Sequence, residues 1–373
     1  MINFIHFSFV PNTASTNRLL AYMCNIPKDI NVRLFFIMPD DLYSRWNQVP
    51  DNVEVIYCWD IFKIKWKFLK IFLFYFALFY IRILLRRGDV VYCYNTPLYM
   101  NIFRKKGIKL YGEKTEHPEV TSSESRLIKY SLKKHLLLCR NLDGLFVISS
   151  SLKNYYINQG VDKNKIHIIN MIVETSRFSN LIKENNNVKY LAYCGTMSNT
   201  KDGVDKLIRS FKYVNDKYPE ILLYIIGKAS SDKENNENYK LALSLNIVDK
   251  IVFTGKVPAN DIPQLLKNAE ALVLNRPDSL QSQCGFPTKL GEYLLTGNPV
   301  IVTKVGDIPL FLENHISAIL SSPYDDEEFG NKILWVIEHP EESSKIGLNG
   351  KKVALKFFNA QTETKKLLKY MHS

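Results

Sequence analysis

One stretch of the chain combines residue types that suit a ligand with both negative charge and hydroxyl groups. Residues 284–303 begin CGFPTKLGE and read as a glycine-containing loop, a short helix beginning near Thr288, a Gly-Asn-Pro break and a buried strand over 300–302. The first amides of a helix lack intrahelical partners and lie at the positive end of its dipole, so they attract anions. Glu292, one turn into that helix, is placed to accept hydrogen bonds from hydroxyl groups. This stretch therefore predicts an anion site beside a hydroxyl-binding carboxylate.

A second stretch, residues 190–203, has a strand, a glycine and a cation in close succession. A buried strand over 190–194 ends at Gly195, and a helix is predicted to begin near Asp202, which is expected to cap it. Gly195 lets a phosphate approach the backbone, and Lys201 supplies positive charge there. An ordinary turn with a solvated lysine is the alternative interpretation.

A third stretch gathers five titratable groups within residues 113–119, directly after a predicted strand over 109–111. They are Glu113, Lys114, Glu116, His117 and Glu119. Clustered ionisable groups at a strand end favour a functional site over a plain surface or core role. We expect His117 to hydrogen-bond a sugar hydroxyl, and a nearby carboxylate to orient an acceptor hydroxyl.

The elements that position these residues alternate between short apolar runs and segments of helical period, which is typical of parallel sheets built from strand–helix units. A polar segment over 179–189 interrupts the pattern, which then restarts. We predict an α/β protein with two Rossmann-like doubly wound domains that face each other across a cleft. The predicted domains are residues 1–180 and 181–350, with a C-terminal helix over 351–373 that packs back toward the first domain. Ligands of such sheets bind outside the carboxyl ends of the strands.

Composition excludes several other classes of protein. The six cysteines among 373 residues are scattered without a C-x-x-C pair, which argues against a disulfide framework or zinc site and favours a reducing compartment. The amino-terminal residues read as a first strand and lack the features of a signal peptide. No G-x-G-x-x-G follows that strand, which argues against a nicotinamide dehydrogenase. The acidic pair Asp40-Asp41 does not form an Asp-x-Asp at a strand end, so we expect no metal and no cofactor.

Positive charge is concentrated in the first half of the chain. Residues 1–180 contain 25 Lys and Arg against 14 Asp and Glu, a balance of +11, whereas residues 181–373 contain 24 against 23, a balance of +1. Residues 61–87 alone hold seven basic residues, nine aromatic residues and no acid. Their uncharged part, 71–81, is shorter than the roughly 20 residues that span a bilayer. We predict a helix in the headgroup plane of an anionic membrane, and no nucleic-acid partner; a core helix with snorkelling lysines is the alternative.

Together these stretches resemble glycosyltransferase family 4, which has the GT-B fold and includes bacterial polysaccharide-type enzymes. The resemblance is clearest over residues 190–320. Its hallmark is a Glu-x7-Glu segment, in which Glu292 takes the second position and Cys284 replaces the first Glu. A Gly-Arg…Lys-Gly segment in the family binds the nucleotide diphosphate; Gly195 and Lys201 match it, and Thr196 stands in place of the Arg. Arg276 is the nearest candidate to supply the missing cation.

The resemblance also implies roles for individual residues. Glu292 would bind the nucleotide ribose, His117 would lie against the donor sugar, Val257 would contact the base, and Glu113 and Glu116 would lie on the acceptor side. The remaining donor-binding predictions concern the sugar and phosphate contacts of the opening stretch, namely Cys284, the amides of Gly285 and Phe286, and Thr288 and Lys289.

The reaction implied is metal-independent transfer, with retention of anomeric configuration, from a nucleoside-diphosphate sugar to a membrane-associated, lipid-linked glycan acceptor. The expected setting is surface polysaccharide synthesis on the cytoplasmic face of the plasma membrane. His117, Lys201 and Glu292 are the predicted catalytic residues. A non-catalytic GT-B scaffold subunit, favoured by Cys284 and Thr196, and a sugar-nucleotide epimerase are the alternatives.

Overall fold

The computed structural model describes residues 1–11, 13–38, 45–58, 69–122, 131–184 and 188–372. The chain forms two compact units: unit 1 comprises Met1–Asn170 together with Ala360–Ser373, and unit 2 comprises Met171–Asn359. Elements are numbered along the whole chain. Asp40, Asp41, Lys63, Lys65 and Lys67, which bear on the metal and membrane predictions, lie outside the described residues.

Unit 1 is built on a parallel sheet, with the strand order β3-β2-β1-β4-β5-β6-β7. Strand β1, which lies inside the sheet between β2 and β4, is buried at every position, as expected for a parallel strand that is covered on both faces. The strands are β1 Ile2–His6, β2 Val32–Phe36, β3 Val53–Tyr57, β4 Val90–Tyr94, β5 Lys109–Lys114, β6 Gly144–Val147 and β7 Ile166–Ile168. The α-helices are α1 Ala14–Asn25, α2 Leu69–Leu84, α3 Pro118–Ser122, α4 Leu132–Arg140, α5 Ser150–Asn158 and α15 Ala360–His372, and 3-10 turns span Leu98–Phe103 and Lys163–Lys165.

Helix α15 is the part of unit 1 that comes from the far end of the sequence. Its apolar side chains, Leu367, Leu368 and Met371, are buried. The Tyr111 hydroxyl donates to the Met371 carbonyl at 3.3 Å, and α15 also packs against α1. The core of unit 1 therefore requires residues that follow the whole of unit 2 in the sequence.

Unit 2 repeats the doubly wound arrangement with the parallel strand order β10-β9-β8-β11-β12-β13. The strands are β8 Tyr190–Cys194, β9 Leu222–Ile226, β10 Ile251–Gly255, β11 Ala271–Leu274, β12 Val300–Thr303 and β13 Ile319–Ser321. The α-helices are α6 Asn199–Asp202, α7 Val204–Lys217, α8 Asp232–Ser244, α9 Ile262–Asn268, α10 Leu280–Cys284, α11 Thr288–Thr296, α12 Ile308–Phe311, α13 Asp326–Glu338 and α14 Pro340–Phe357, and 3-10 turns span Thr175–Phe178 and Val248–Lys250. The predicted α/β class with two Rossmann-like domains is confirmed.

The units differ in two respects from the predicted domain bounds. The division falls between Asn170 and Met171, before the polar segment over 179–189, of which residues 185–187 lie outside the description. The predicted terminal helix over 351–373 is two helices, with α14 in unit 2 and α15 in unit 1. A local break at Phe358 ends α14, because that residue leaves helical geometry.

Candidate functional site

The site in unit 2 lies where its strand order reverses. Strand β8 pairs with β9 on one side and with β11 on the other. Crevices at such switch points, outside the carboxyl ends of the strands, are where doubly wound sheets bind ligands. The predicted residues Gly195 and Arg276 follow β8 and β11 directly, so the topology places their loops next to each other.

Two glycines allow these loops to pack backbone against backbone. Gly203 has φ 64°, and a Cβ there would collide with the Asn275 carbonyl oxygen. Gly227, after β9, has φ 134°, and a Cβ would collide with the Gly195 carbonyl oxygen. Side chains are therefore excluded at two points, and the loops after β8, β9 and β11 form one dense layer.

A buried ion pair lies under this layer. The Lys289 ammonium donates to the Asp202 carboxylate and, at 3.1 Å, to the Tyr193 hydroxyl, which itself donates to Asp202 at 3.0 Å. A Cβ on Gly195 would lie 2.5 Å from Lys289 Nζ, so the absent side chain makes room for the ammonium. Although burial opposes ionisation of Asp202, Lys289 and Arg276 hold its pKa below the ordinary value.

Asp202 thus has a different role from the predicted helix cap. Ser198 caps α6, where its hydroxyl accepts from the Lys201 amide, and Gly203 precedes α7 without a side-chain cap. Asp202 is 3% exposed and turns inward to the lysine. Sequence reasoning missed this role, because Lys289 lies 87 positions away in the chain.

Arg276 and Lys201 add further positive charge at the same place. The Arg276 guanidinium is 2% exposed, donates from Nε to the Lys201 carbonyl at 3.2 Å and lies 3.7 Å from an Asp202 oxygen. Arg276 and Lys289 therefore both pair with the Asp202 carboxylate, and Arg276 also contacts the backbone of Lys201. The burial of Arg276 favours an effect on a ligand through electrostatic potential over direct contact, and its role as the missing cation stays a prediction.

Glu292 lies one turn into α11 and is held by a second cation. Arg177 Nη1 donates to Glu292 Oε1 at 2.7 Å, and Arg177 Nη2 donates to the Ala259 carbonyl at 2.9 Å. Burial raises the pKa of Glu292 above its ordinary value, and Arg177 opposes that rise. No local pattern points to Arg177 as a partner, because it lies 115 positions before Glu292.

The other predicted donor residues are divided between surface and interior. Thr196 and Thr288 are exposed, and Val257 is half-buried after β10. Cys284 ends α10 and is buried, and both burial and Asp307 raise the pKa of its thiol. The Gly285 amide, predicted to face the sugar, instead donates to the Gln281 carbonyl at 2.9 Å and closes α10. Phe286 packs its ring against Phe311 and Phe358 at centroid distances of 5.6 and 5.3 Å. This packing anchors the chain just before α11.

In unit 1, Glu113 belongs to the core and does not face solvent. Its side chain is completely buried, and one oxygen accepts from Arg18 Nη2 at 2.7 Å and from the Tyr22 hydroxyl at 3.0 Å. The other oxygen accepts from the Tyr92 hydroxyl. In place of the predicted contact with an acceptor, Glu113 neutralises Arg18 inside unit 1, because an unpaired buried charge would be costly.

His117 and Glu116 lie just beyond that core, after β5. The His117 ring packs edge-on against Tyr155 at 4.2 Å, and its Nδ1 accepts from the Glu119 amide at 3.3 Å. Burial lowers the pKa of His117, so the ring is neutral at pH 7. With Nδ1 as the acceptor, the proton lies on Nε2, which is therefore a hydrogen-bond donor. Glu116 is half-buried. Among the described residues, no three His, Cys, Asp or Glu side chains gather as metal ligands would.

Comparisons with known proteins agree with this fold. The chain is similar over its whole length to the crystal structure of Anabaena HepE in complex with UDP, with a TM-score of 0.75, 17% identity and coverage of 100% of this chain and 99% of HepE. HepE has also been solved in complex with UDP-glucose. At this identity the likeness concerns the fold, which is that of the GT-B class.

Two sequence relatives and one family extend the comparison. The chain is 22% identical over 280 residues to mannosylfructose-phosphate synthase of Agrobacterium fabrum and 24% identical over 303 residues to YtcC of Bacillus subtilis. These alignments cover 71% and 75% of this chain, and 60% and 71% of the respective relatives. Residues 173–353 match the family model Glycosyl transferases group 1. This match lies within unit 2, which comprises Met171–Asn359.

Proposed function

We propose that this chain is a retaining, family 4-type glycosyltransferase that moves a sugar from a nucleoside-diphosphate sugar to a lipid-linked glycan acceptor. The observation that carries the proposal is the arrangement at the end of β8. Lys289 and Arg276 pair with Asp202 at the loops after β8 and β11, Lys289 lies close to Gly195, and Glu292 lies one turn into α11. Cations beside a close-packed backbone suit a diphosphate, and a partly exposed carboxylate suits ribose hydroxyls.

Uracil is the base that we propose for the donor nucleotide. HepE, which shares the fold over the full length of this chain, binds UDP and UDP-glucose. The half-buried Val257, which follows β10, is the proposed contact with the base.

The proposed chemistry rests on electrostatic stabilisation of the departing diphosphate. Lys201, Lys289 and the first amides of α11 would face negative charge as it develops, and such preorganised groups need little rearrangement during the reaction. The neutral ring of His117 would donate from Nε2 to a hydroxyl of the donor sugar. This scheme requires neither a metal ion nor a carboxylate nucleophile.

The proposed lipid-linked acceptor is supported by an unusual helix in unit 1. Helix α2 buries one apolar face but exposes another, with 64% of Phe72, 56% of Phe79 and 61% of Ile83 accessible. A helix that is apolar all round is normally buried, so an exposed apolar face indicates a further contact. Arg86 and Arg87, both exposed after the helix, match the charge of anionic headgroups.

Aromatic side chains flanked by arginines are typical of helices that lie in the membrane interface. No helix among the described residues has the length and apolar character needed to cross a bilayer. We therefore propose peripheral association with the cytoplasmic face of the plasma membrane, in a surface polysaccharide pathway.

The proposal is tested by binding and by turnover. Titration calorimetry with UDP, GDP and UMP should give the tightest binding for UDP. The variant Lys201→Ala should bind UDP at least tenfold more weakly than wild type, because a charged phosphate contact is lost. UDP-glucose and its relatives are then incubated with a bacterial lipid extract, and transfer is followed by mass spectrometry. Absence of binding to every nucleotide would favour the scaffold, and epimerised donor in the absence of lipid would favour the epimerase.

A further inference from the structure

Arg177 joins three separate pieces of unit 2. It belongs to the 3-10 turn Thr175–Phe178, donates from Nη1 to Glu292 of α11 at 2.7 Å, and donates from Nη2 to the Ala259 carbonyl at 2.9 Å. Ala259 lies in the loop after β10, next to the proposed base contact Val257. One guanidinium therefore ties the proposed ribose carboxylate to the proposed base loop.

This contact differs from an ordinary surface ion pair. Only 30% of the Arg177 side chain and 26% of Glu292 are accessible, and the two donors of the guanidinium fork have different acceptors. A planar fork fixes direction as well as charge, which a flexible ammonium does not. Arg177 also lies 5.9 Å from the ring centroid of Phe178, which supports its side chain from the same turn.

We propose that Arg177 is a positioning residue that fixes Glu292 and the loop around Ala259 relative to each other, so that ribose and base are recognised together. This inference rests on the proposed function, because it assigns ribose recognition to Glu292. Arg177 itself touches the carboxylate and the loop, and acts on the nucleotide through them.

The charge of Arg177 has a second effect on the same carboxylate. Burial raises the pKa of Glu292, whereas Arg177 lowers it. Without the guanidinium, the carboxyl group would take up a proton at a higher pH. A protonated carboxyl group loses part of its capacity to accept hydrogen bonds from two ribose hydroxyls.

The test compares UDP with 2′-deoxy-UDP, because only the first offers the hydroxyl pair to Glu292. Dissociation constants are measured by titration calorimetry for wild type, Arg177→Met, Arg177→Lys and Glu292→Gln between pH 6 and pH 8. Wild type should prefer UDP by about tenfold, the scale of one hydrogen bond to a charged group. In Arg177→Met that preference should fall below about twofold and weaken further as the pH is lowered. Arg177→Lys should retain part of it, and Glu292→Gln should lack it.

Arg209→Met is the matched control, because Arg209 also pairs with carboxylates of unit 2, those of Asp205 on α7 and Asp326 on α13, and contacts neither Glu292 nor Ala259 in the ion pairs and hydrogen bonds of the described residues. It should keep the full preference for UDP. The inference is overturned if Arg177→Met retains the wild-type preference for UDP. It is likewise overturned if the substitution weakens the binding of UDP and of 2′-deoxy-UDP by the same factor, which would indicate a general structural role. Wild-type protein that binds no nucleotide would instead overturn the proposed function.

Discussion

At the scale of single residues, Asp202 controls the charge of the site. It lies between Lys289 and Arg276 and accepts from Tyr193, so two cations beside Gly195 share one buried counter-charge. Removal of one partner from a buried ion pair leaves the other uncompensated. Asp202 therefore stabilises the folded site as well as setting its potential.

We expect Asp202→Asn to lower the free energy of unfolding of unit 2 at pH 7 by about 3 kcal/mol. The pKa of Asp202 is held below its ordinary value of 3.8. The contribution of the Asp202 carboxylate to folding stability is therefore complete above pH 3.8, and it is lost as the pH falls through the lower pKa of the folded state. Urea unfolding from pH 7 to pH 2.5 should show wild type and variant converging at acid pH. A constant difference across this range would contradict the prediction.

The close approach at Gly203 gives a second prediction. Gly203 and Gly255 have φ of 64° and 66°, but only at Gly203 would a Cβ meet a carbonyl oxygen, that of Asn275. Gly255→Ala should cost about 1 kcal/mol for the left-handed backbone alone. Gly203→Ala should lower the free energy of unfolding by at least about 2 kcal/mol more than Gly255→Ala does, since the clash with backbone cannot be relieved by a rotamer change. Chemical unfolding of the two variants measures the difference, and equal costs would exclude the clash.

Some of these residue roles could be predicted from the sequence and others could not. Gly195, Lys201 and Lys289 follow from local patterns in the sequence, whereas Arg276 follows only from the family resemblance. In the structure Lys289 lies close to Gly195, and Arg276 contacts the Lys201 backbone. The contact between Arg177 and Glu292 depends on chain folding over 115 positions, and no local pattern encodes it. Glu113 was misassigned for the same reason, since its partner Arg18 lies 95 positions away.

At the scale of elements, strands were predicted well because burial on both faces leaves continuous apolar runs. The bounds of β8 agree with the predicted strand over 190–194, whereas β5 continues from the predicted end at Tyr111 to Lys114. That extension contains Glu113 and Lys114, whose charges concealed the strand. Their burial depends on partners from other elements, such as Asn95, which accepts from Lys114 Nζ at 2.5 Å.

Helix α2 gives the prediction at this scale. The triple variant Phe72→Ser, Phe76→Ser, Phe79→Ser should lose at least tenfold in binding to vesicles of phosphatidylglycerol and phosphatidylcholine, because three exposed aromatic rings leave the interface. Co-sedimentation with vesicles measures the effect, and pure phosphatidylcholine should bind wild type more weakly.

Leu137→Ser, at another exposed apolar residue of unit 1, is the control and should bind like wild type. Unchanged binding of the triple variant would exclude this face from membrane contact. Light scattering without vesicles tests a different partner, since self-association abolished by the same triple variant would assign the face to a second copy of the chain.

At the scale of the whole molecule, the two units differ in how the sequence builds them. Unit 2 is continuous from Met171 to Asn359, whereas unit 1 needs Ala360–Ser373 in addition to Met1–Asn170. Asn170 and Glu363 join the two segments of unit 1, with the Asn170 amide donating to the Glu363 carboxylate at 2.6 Å. The continuous unit contains every residue of the proposed phosphate and ribose contacts.

We therefore expect residues 171–359 to unfold cooperatively and to bind UDP when produced alone, because their sheet and site are complete. Residues 1–170 should lack a cooperative transition, because the buried surface under α15 would be exposed. Addition of a peptide of residues 360–373 should restore part of it. Circular dichroism during thermal unfolding measures both fragments, and a cooperative transition of 1–170 alone would show that α15 is dispensable.

The divided construction of unit 1 also sets the order of events during synthesis. The ribosome delivers the sheet of unit 1 first, then all of unit 2, and only then the helix that covers the sheet. At translation rates of roughly 5–20 residues per second, the surface that α15 later covers stays exposed for many seconds while unit 2 is synthesised. The nascent chain should therefore engage chaperones through unit 1, and unit 2 should mature before the unit that precedes it in the sequence.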